Sequence, residues 1–467
     1  MIKQPVILSE AKDLLHRRDR RDRFFVAPLL RMTGRLRISF ILIAAAFLLS
    51  GCAREQTGGS VPDPNFELTY WPAPNTQEIE LAETLVTAWN QLHPDIHVRM
   101  QPIPVSQSTE EVLLAAIAGK TTPDVCSNIW PGALHDYMQS GGLVALDRFP
   151  DFDSVALSRT PRELLETFRA SDSHLYQLPW KTNPVMMFYN ERLFREAGVD
   201  SIPRTYSQYL AAAKKVTRDL DGDGQIDVWM GERDIRPIWW QRLFDFYPFF
   251  IGASGGSMLF RNNEVAFDNR EAVEVFSFFR ECYASRYFPR TFFQGGDPFN
   301  LEKKATHFAG PWQVSQVQKF APHIKFGVAP LPVPDSHTGP VYTSGDYKNI
   351  AIFSTTRHPK EAWEFVKFLV SPQHDLLLLK IANQIPVRGD LLTNPIFSSY
   401  FEKNPVMVSF ARQAPYTRGM DAVPDLQEIF DAISQEYEAC CVYGRVSPAD
   451  AIRDAAKRTR LIVEWNQ

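Results

Sequence analysis

The sharpest chemical pattern in the chain is Asp219-Leu220-Asp221-Gly222-Asp223-Gly224-Gln225-Ile226-Asp227. Asp219, Asp221, Asp223 and Asp227 stand at loop positions 1, 3, 5 and 9, Gly224 at 6 and Gln225 at 7. That is the oxygen spacing of an EF-hand calcium loop. Position 12, usually a bidentate Glu, is Met230, so Glu232 or a remote carboxylate would have to complete the shell. The loop therefore reads either as a structural calcium site or as a solvated Asp/Gly turn. A second pattern, Gly252-Ala253-Ser254-Gly255-Gly256, matches G-x-S-x-G. A nucleophile elbow needs a strand before it and a helix after it. Here a strand-like run, 258–260, follows, so the segment reads as a glycine-rich turn. The chain has no C-x-x-C, which argues against zinc or thioredoxin-like chemistry. Cys126, Cys282, Cys440 and Cys441 read as buried free thiols, although export would permit disulfides.

Ten tryptophans are the other resource, several of them just after strands or beside Pro and Gly. The elements that must position them alternate. A strand over 66–71 precedes a helix whose apolar residues, Ile79, Ala82, Leu85, Val86 and Trp89, share one face. A strand (96–103), a helix (112–118) and a strand ending at Asn128 and Trp130 follow. Such alternation predicts an α/β layer with a largely parallel sheet, whose ligands bind beyond the strand C-termini. Trp71, Asn128 and Trp130 fall there. Further on, a short strand at 174–178 runs into Pro179 and Trp180. A strand at 185–189 then leads to a helix capped by Asn190 and closed at Gly198. Trp239 and Trp240 are consecutive, so they cannot both face one interior.

At 467 residues the chain is too long for one core, and two or three domains are expected. A net charge of -4 leaves no electrostatic footprint for nucleic acid. Near the N-terminus, Arg35 and Arg37 precede an apolar run, 38–49, too short for a comfortable membrane span. Leu49-Ser50-Gly51-Cys52 then matches a bacterial lipobox, with Cys52 as the lipidated residue. Residues 32–52 read as a lipoprotein signal peptide and 53–65 as a polar tether. Residues 1–31 read as an over-extended reading frame, with Met32 as the native start.

Several segments follow one another along the chain: TYW (69–71), PDVCSNIW (123–130), LYQLPWKTNPVMMFYNERLFREAG (175–198), the DLDGDG loop, FAGPW (308–312), NIAIFS (349–354), HPKEAWEFVKFL (358–369) and VPDLQEIFDAI (423–433). In that order, behind a lipobox, they resemble the extracellular solute-binding proteins of ABC importers, family 1, the carbohydrate binders that include maltodextrin-binding protein.

The resemblance implies a two-lobed α/β periplasmic-binding-protein fold of type II, with solute held in the cleft by hinge closure. It puts residues 66–185 and 343–388 in the N-terminal lobe, 186–342 and 389–467 in the C-terminal lobe, and a first crossing near 185–188. Trp312 matches a position where the family stacks sugar, Trp130 a first-lobe aromatic, Trp239 or Trp240 a second-lobe one, and Phe430 an aromatic on a C-terminal helix. Trp71, Asn75, Asn128, Trp180, Asn183, Asp346 and Tyr347 complete the expected solute-binding set. Many sugar binders carry Gly-Gly and a Trp near 344–348. Asp346 and Lys348 here imply a more polar contact. The expected activity is non-catalytic: a monomeric, lipid-anchored receptor that hands a mono- or oligosaccharide to ABC permease subunits. An exported carbohydrate-active enzyme with a cleft carboxylate pair is the alternative. A binder of peptide, phosphodiester or iron chelate is another.

Overall fold

The computed structural model describes residues 67–105, 108–233, 246–261, 264–291, 293–421, 423 and 425–465. Cys52, the leader, the tether and the Trp239-Trp240 pair lie outside the described residues.

Three parallel strands open the first sheet: β1 (Glu67–Trp71), β2 (His97–Met100) and β3 (Val125–Ile129). Between the first two runs the helix Thr76–Leu92, which buries Leu81, Ala82, Leu85 and Trp89 at helical spacing. Asn75 caps it by accepting from Glu78 N at 3.0 Å, a bond of about 1 kcal/mol. Next come β4 (Leu178–Thr182) and β5 (Met186–Asn190). The strand expected at 174–178 lies later, at β4, and contains Pro179. A proline cannot donate to a ladder. It is accommodated because β4 pairs with a later strand through Leu178 and Lys181, with a register shift between.

A two-stranded hairpin, β6 (Phe260–Arg261) and β7 (Glu264–Val265), follows Ser254. The helix Tyr247–Ala253 precedes that serine, so the G-x-S-x-G match is a turn, with Gly255 and Gly256 at positive φ. The strands β8 (Thr306–Ala309) and β9 (Phe326–Ala329) flank β5 on either side, both antiparallel to it. The chain returns through β10 (Thr343–Ser344) to β11 (Lys348–Ile352) and β12 (Ile385–Pro386), and later makes β13 (Thr417–Arg418).

The first sheet has the order β12-β4-β11-β3-β1-β2. It is mixed, since β11 and β12 are antiparallel to their neighbours. The reason is topological: both strands arrive after the excursion through the β8-β5-β9 sheet and enter from the opposite end. Three passages of chain lie side by side between the sheets. Pro184 bridges Gly345, Val185 N donates to Ser344 O at 2.9 Å, and β10 pairs with β13.

β5 shows why 185–188 is an unbroken apolar run. Successive strand residues face opposite ways. Val185 and Met187 enter one core cluster, Met186 and Phe188 another. The strand is covered on both faces, so no polar alternation is left. Cys126, Cys282, Cys440 and Cys441 are all buried thiols outside any disulfide among the described residues. Among the described residues, no helix is long and apolar enough to cross a membrane.

A buried charge cluster fastens β4 to the elements around it. Arg159 donates to Pro179 O and to both Asp375 oxygens, at 3.0 and 2.9 Å. Arg388 donates to Asp375 from the other side at 3.1 Å. Removing the central carboxylate leaves two guanidinium groups facing each other without water. Asp375→Ala is expected to cost about 3–5 kcal/mol in chemical denaturation. A loss below about 1 kcal/mol would mean that the cluster is not what holds β4.

Candidate functional site

β1, β3 and β4 run the same way, so Trp71, Trp130 and Asn183 emerge at one edge of the first sheet. The reversed strands β11 and β12 bring their N-terminal ends, with Asp346, Lys348 and Gln384, to that same edge. In the second sheet, Ala309 pairs with Met186. The Gly310-Pro311-Trp312 turn therefore leaves its sheet beside the 183–185 passage. Sequence separation is large, but topology gathers Trp71, Asn128, Trp130, Asn183, Asp346 and Trp312 at strand ends that face this junction.

The floor of the junction is polar and charged. Lys181 is wholly buried and ion-paired with Glu78 in the first turn of the Thr76–Leu92 helix. Gln384 donates to Glu78 Oε1 at 2.9 Å and accepts from Asn183 Nδ2 at 3.3 Å. Burial alone would raise the Glu78 carboxyl. The Lys181 ammonium, helped by Gln384 and Asn75, outweighs it and holds the group below its ordinary range. Alongside, Lys348 lies 3.6 Å from Glu110 and 3.5 Å from Asp346. Burial would lower this lysine, yet the two carboxylates hold it above its usual value. Asn128 is buried and donates to Thr109 Oγ1 at 3.3 Å. Two acceptors in the floor, Glu78 Oε2 and Asn183 Oδ1, have no hydrogen-bond donor among the described residues.

Two aromatic rings stand at the strand ends, each folded over its own glycine. The Trp130 ring lies where a side chain on Gly132 would be, and the Trp312 ring where one on Gly310 would be. Only glycine admits that approach; the Trp130 ring is buried in the core, whereas the Trp312 ring is half-buried and keeps an open side.

The structure does not bring every expected residue to this edge. Asn75 is engaged as a helix cap. Trp180 is buried in the core beneath the first sheet, with the Lys181 ammonium 4.7 Å from its ring centre. Tyr347 is fully buried against Phe168, at 5.3 Å between ring centres. It turns inward because its neighbour Asp346 turns outward, as consecutive extended residues must. Phe430 is buried edge-on against Tyr247, at 5.3 Å. Conversely, Glu78, Glu110, Lys181 and Gln384 were missed. The Asn75-x-x-Glu78 spacing is a capping pattern, and a lysine inside Leu178–Thr182 is out of place in a buried strand. Both were signals.

The 219–227 loop brings carboxylate oxygens of Asp219, Asp221 and Asp227 within 4.8 Å of one another. Asp219 accepts from Gly222 N and Gly224 N at 2.7 and 2.8 Å; Asp221 and Asp223 accept from the next amides but one, Asp223 N and Gln225 N. Met230 is buried and Glu232 is paired with Lys304 at 3.0 Å, so neither supplies the twelfth-position ligand.

A cavity of about 540 Å³ lies next to Trp130, lined among others by Pro131, His135, Phe168, Phe260, Arg418 and Asp421. Asp421 is buried and accepts from Tyr247 Oη at 3.0 Å, Leu259 N at 3.2 Å and Phe260 N at 3.0 Å. Burial pushes its carboxyl up to about 6, against the lowering pull of these neutral donors.

Two sheets, joined by passages that run side by side and meeting at an edge of aromatic and buried polar groups, define a two-lobed solute receptor. The model of the bacterial extracellular solute-binding protein family matches residues 73–375, and the chain belongs to that family. It is 24% identical over 382 residues to a maltotriose-binding protein of Pyrococcus abyssi, covering 79% of this chain and 76% of the other. A crystal structure of an uncharacterized protein, lmo0859, from Listeria monocytogenes superposes with a TM-score of 0.76 at 25% identity, over 85% of this chain and 100% of that one. The cyclic alpha-maltosyl-1,6-maltose binding protein of Arthrobacter globiformis gives 0.72 at 20% identity, over 85% and 99%.

Asp421 sets a pH dependence. In the unfolded chain an aspartate titrates near about 3.9. With the folded value raised, the stabilising contribution is whole below about pH 4 and is lost as pH rises through about 6, roughly 2–3 kcal/mol in all. Asp421→Asn stays neutral throughout. The stability difference between wild type and this variant should shift by that amount between about pH 4 and pH 7 in urea melts. A difference that is flat with pH would refute the assignment.

Proposed function

We propose that this protein is an extracytoplasmic receptor, lipid-anchored through Cys52, that binds a carbohydrate at the junction of its two sheets and delivers it to an ABC importer. The lobes are 66–185 with 343–388, and 186–342 with 389–467, and the passage at 183–185 is the first hinge. Closure around solute then shifts an open-closed equilibrium. The observation that carries this reading is the half-buried Trp312, laid over Gly310, beside a floor of amides and carboxylates. A sugar ring has an apolar face for such a platform and hydroxyls for such a floor. The names of the Pyrococcus maltotriose-binding protein and the Arthrobacter cyclic alpha-maltosyl-1,6-maltose binding protein support the substrate class.

Within this floor the carboxylates favour binding over hydrolysis, and Asp421 in the neighbouring cavity is engaged by Tyr247 Oη, Leu259 N and Phe260 N. A glycosidase needs one carboxyl kept protonated near neutral pH. Glu78 and Glu110 are instead held below the ordinary range by Lys181 and Lys348, although burial pulls the other way. Asp346 shares Lys348.

A thermal-shift and calorimetric screen of the mature domain against a carbohydrate library tests the proposal. A sugar at a hundred times its Kd should add about 2.7 kcal/mol of stability. Trp312→Ala should weaken that sugar by about tenfold or more, since a stacked ring contributes upwards of about 1.4 kcal/mol. Neither protein should turn the sugar over. If no carbohydrate shifts the melting point while another solute class does, the sugar assignment fails.

A further inference from the structure

The dipeptide Asn383-Gln384 lies between the two halves of the junction and faces both. Asn383 Nδ2 donates to Ser315 Oγ at 2.6 Å. Ser315 belongs to the helix Trp312–Phe320, one turn after the tryptophan that opens it. Asn383 Oδ1 accepts from Tyr400 Oη at 3.1 Å, so both ends of the amide are engaged. The next residue, Gln384, holds Glu78 and Asn183. Two adjacent side chains thus join the helix that bears Trp312 to the polar floor that bears Lys181.

The backbone at this point is unusual. Residues Leu378–Ala382 form a π-turn, and Asn383 ends it in the left-handed region, at φ 50 and ψ 37. Asparagine tolerates that region better than most residues with a side chain. The conformation turns Asn383 and Gln384 in different directions, which is what lets neighbours reach opposite sides. A β-branched residue could supply neither the backbone nor the amide.

We propose that Asn383 is a positioning residue for solute binding. Its bond to Ser315 fixes the Trp312 helix, and so the Trp312 ring, relative to the Glu78-Gln384-Asn183 floor. The bond therefore raises solute affinity through Trp312, with no group of Asn383 in contact with solute. This rests on the receptor reading above.

Two variants separate the proposal from a merely structural role. Ser315→Ala removes the bond alone. Asn383→Gly removes it while keeping a residue at ease in the left-handed region. Amide hydrogen exchange of the Trp312–Phe320 helix, measured without solute, should accelerate about fivefold or more in both, while the Thr76–Leu92 helix is unchanged. Affinity for the best sugar of the library should fall about two- to tenfold in Ser315→Ala, the range of one lost hydrogen bond. The double variant should bind as Asn383→Gly does, because that change already breaks the Ser315 bond, along with the Tyr400 one. Unchanged exchange in the Trp312 helix overturns the positioning claim, as does faster exchange with unchanged affinity. If wild type binds no sugar, the receptor reading falls by itself, and the exchange measurement still decides whether Asn383 positions Trp312.

Discussion

A lysine with no access to water has to find a counter-charge, and Lys181 finds it in Glu78. An uncompensated ammonium at that depth would cost several kcal/mol, so the partner cannot be optional. The partner, in turn, sits in the first turn of the Thr76–Leu92 helix, where its own backbone N–H is held by Asn75. The pair thereby pins a helix N-terminus to the end of β4. Gln384 then adds a third chain segment to the same carboxylate, and Asn183 a fourth contact at the point where the chain leaves the first sheet. One buried ion pair sets the height of the floor on which the rest of the junction is built.

The passage at 183–185 inherits this rigidity on one side only. Upstream, β4 is clamped by Arg159, Asp375 and Arg388 and ends in the Lys181 pair. Downstream, β5 is packed on both faces. The residues between are held by backbone bonds to 344–346, with few side-chain ties. Firm strands meeting through short backbone-bonded segments are the arrangement that lets two packed bodies rotate without unpacking either.

Much of the fold was legible because local signals were strong. The periodic face of 76–92, the cap at Asn190 and the apolar run at 185–188 each stated their element, and the order of motifs stated the family. Position at a strand end was legible, as at Trp71, Asn128 and Trp130. The site was not legible where the facing of one side chain decided it. Asp346 and Tyr347 are neighbours, yet one reaches the edge and the other the core, and composition does not tell them apart. Glu78 and Lys181 were invisible as a pair because 103 residues separate them, and only the closed sheet brings them together. Phe430 fell to Tyr247, a contact between helices distant in sequence.

The departure near 344–348 can now be given its physical meaning. In sequence, an aspartate and a lysine in place of small and aromatic residues suggest a charged contact. In the fold, Lys348 is held between Glu110 and Asp346, and Lys181 against Glu78, so both cations are compensated from within. What stays open at this edge is the outer side of Asp346 and the half-buried Trp312 ring. A floor whose two lysines are already paired suits a ligand rich in hydroxyl donors. A phosphodiester or an acidic sugar would have to bring its charge beside carboxylates whose lysines are already engaged. The chemistry of the floor therefore accords with the neutral, hydroxyl-rich solute proposed above.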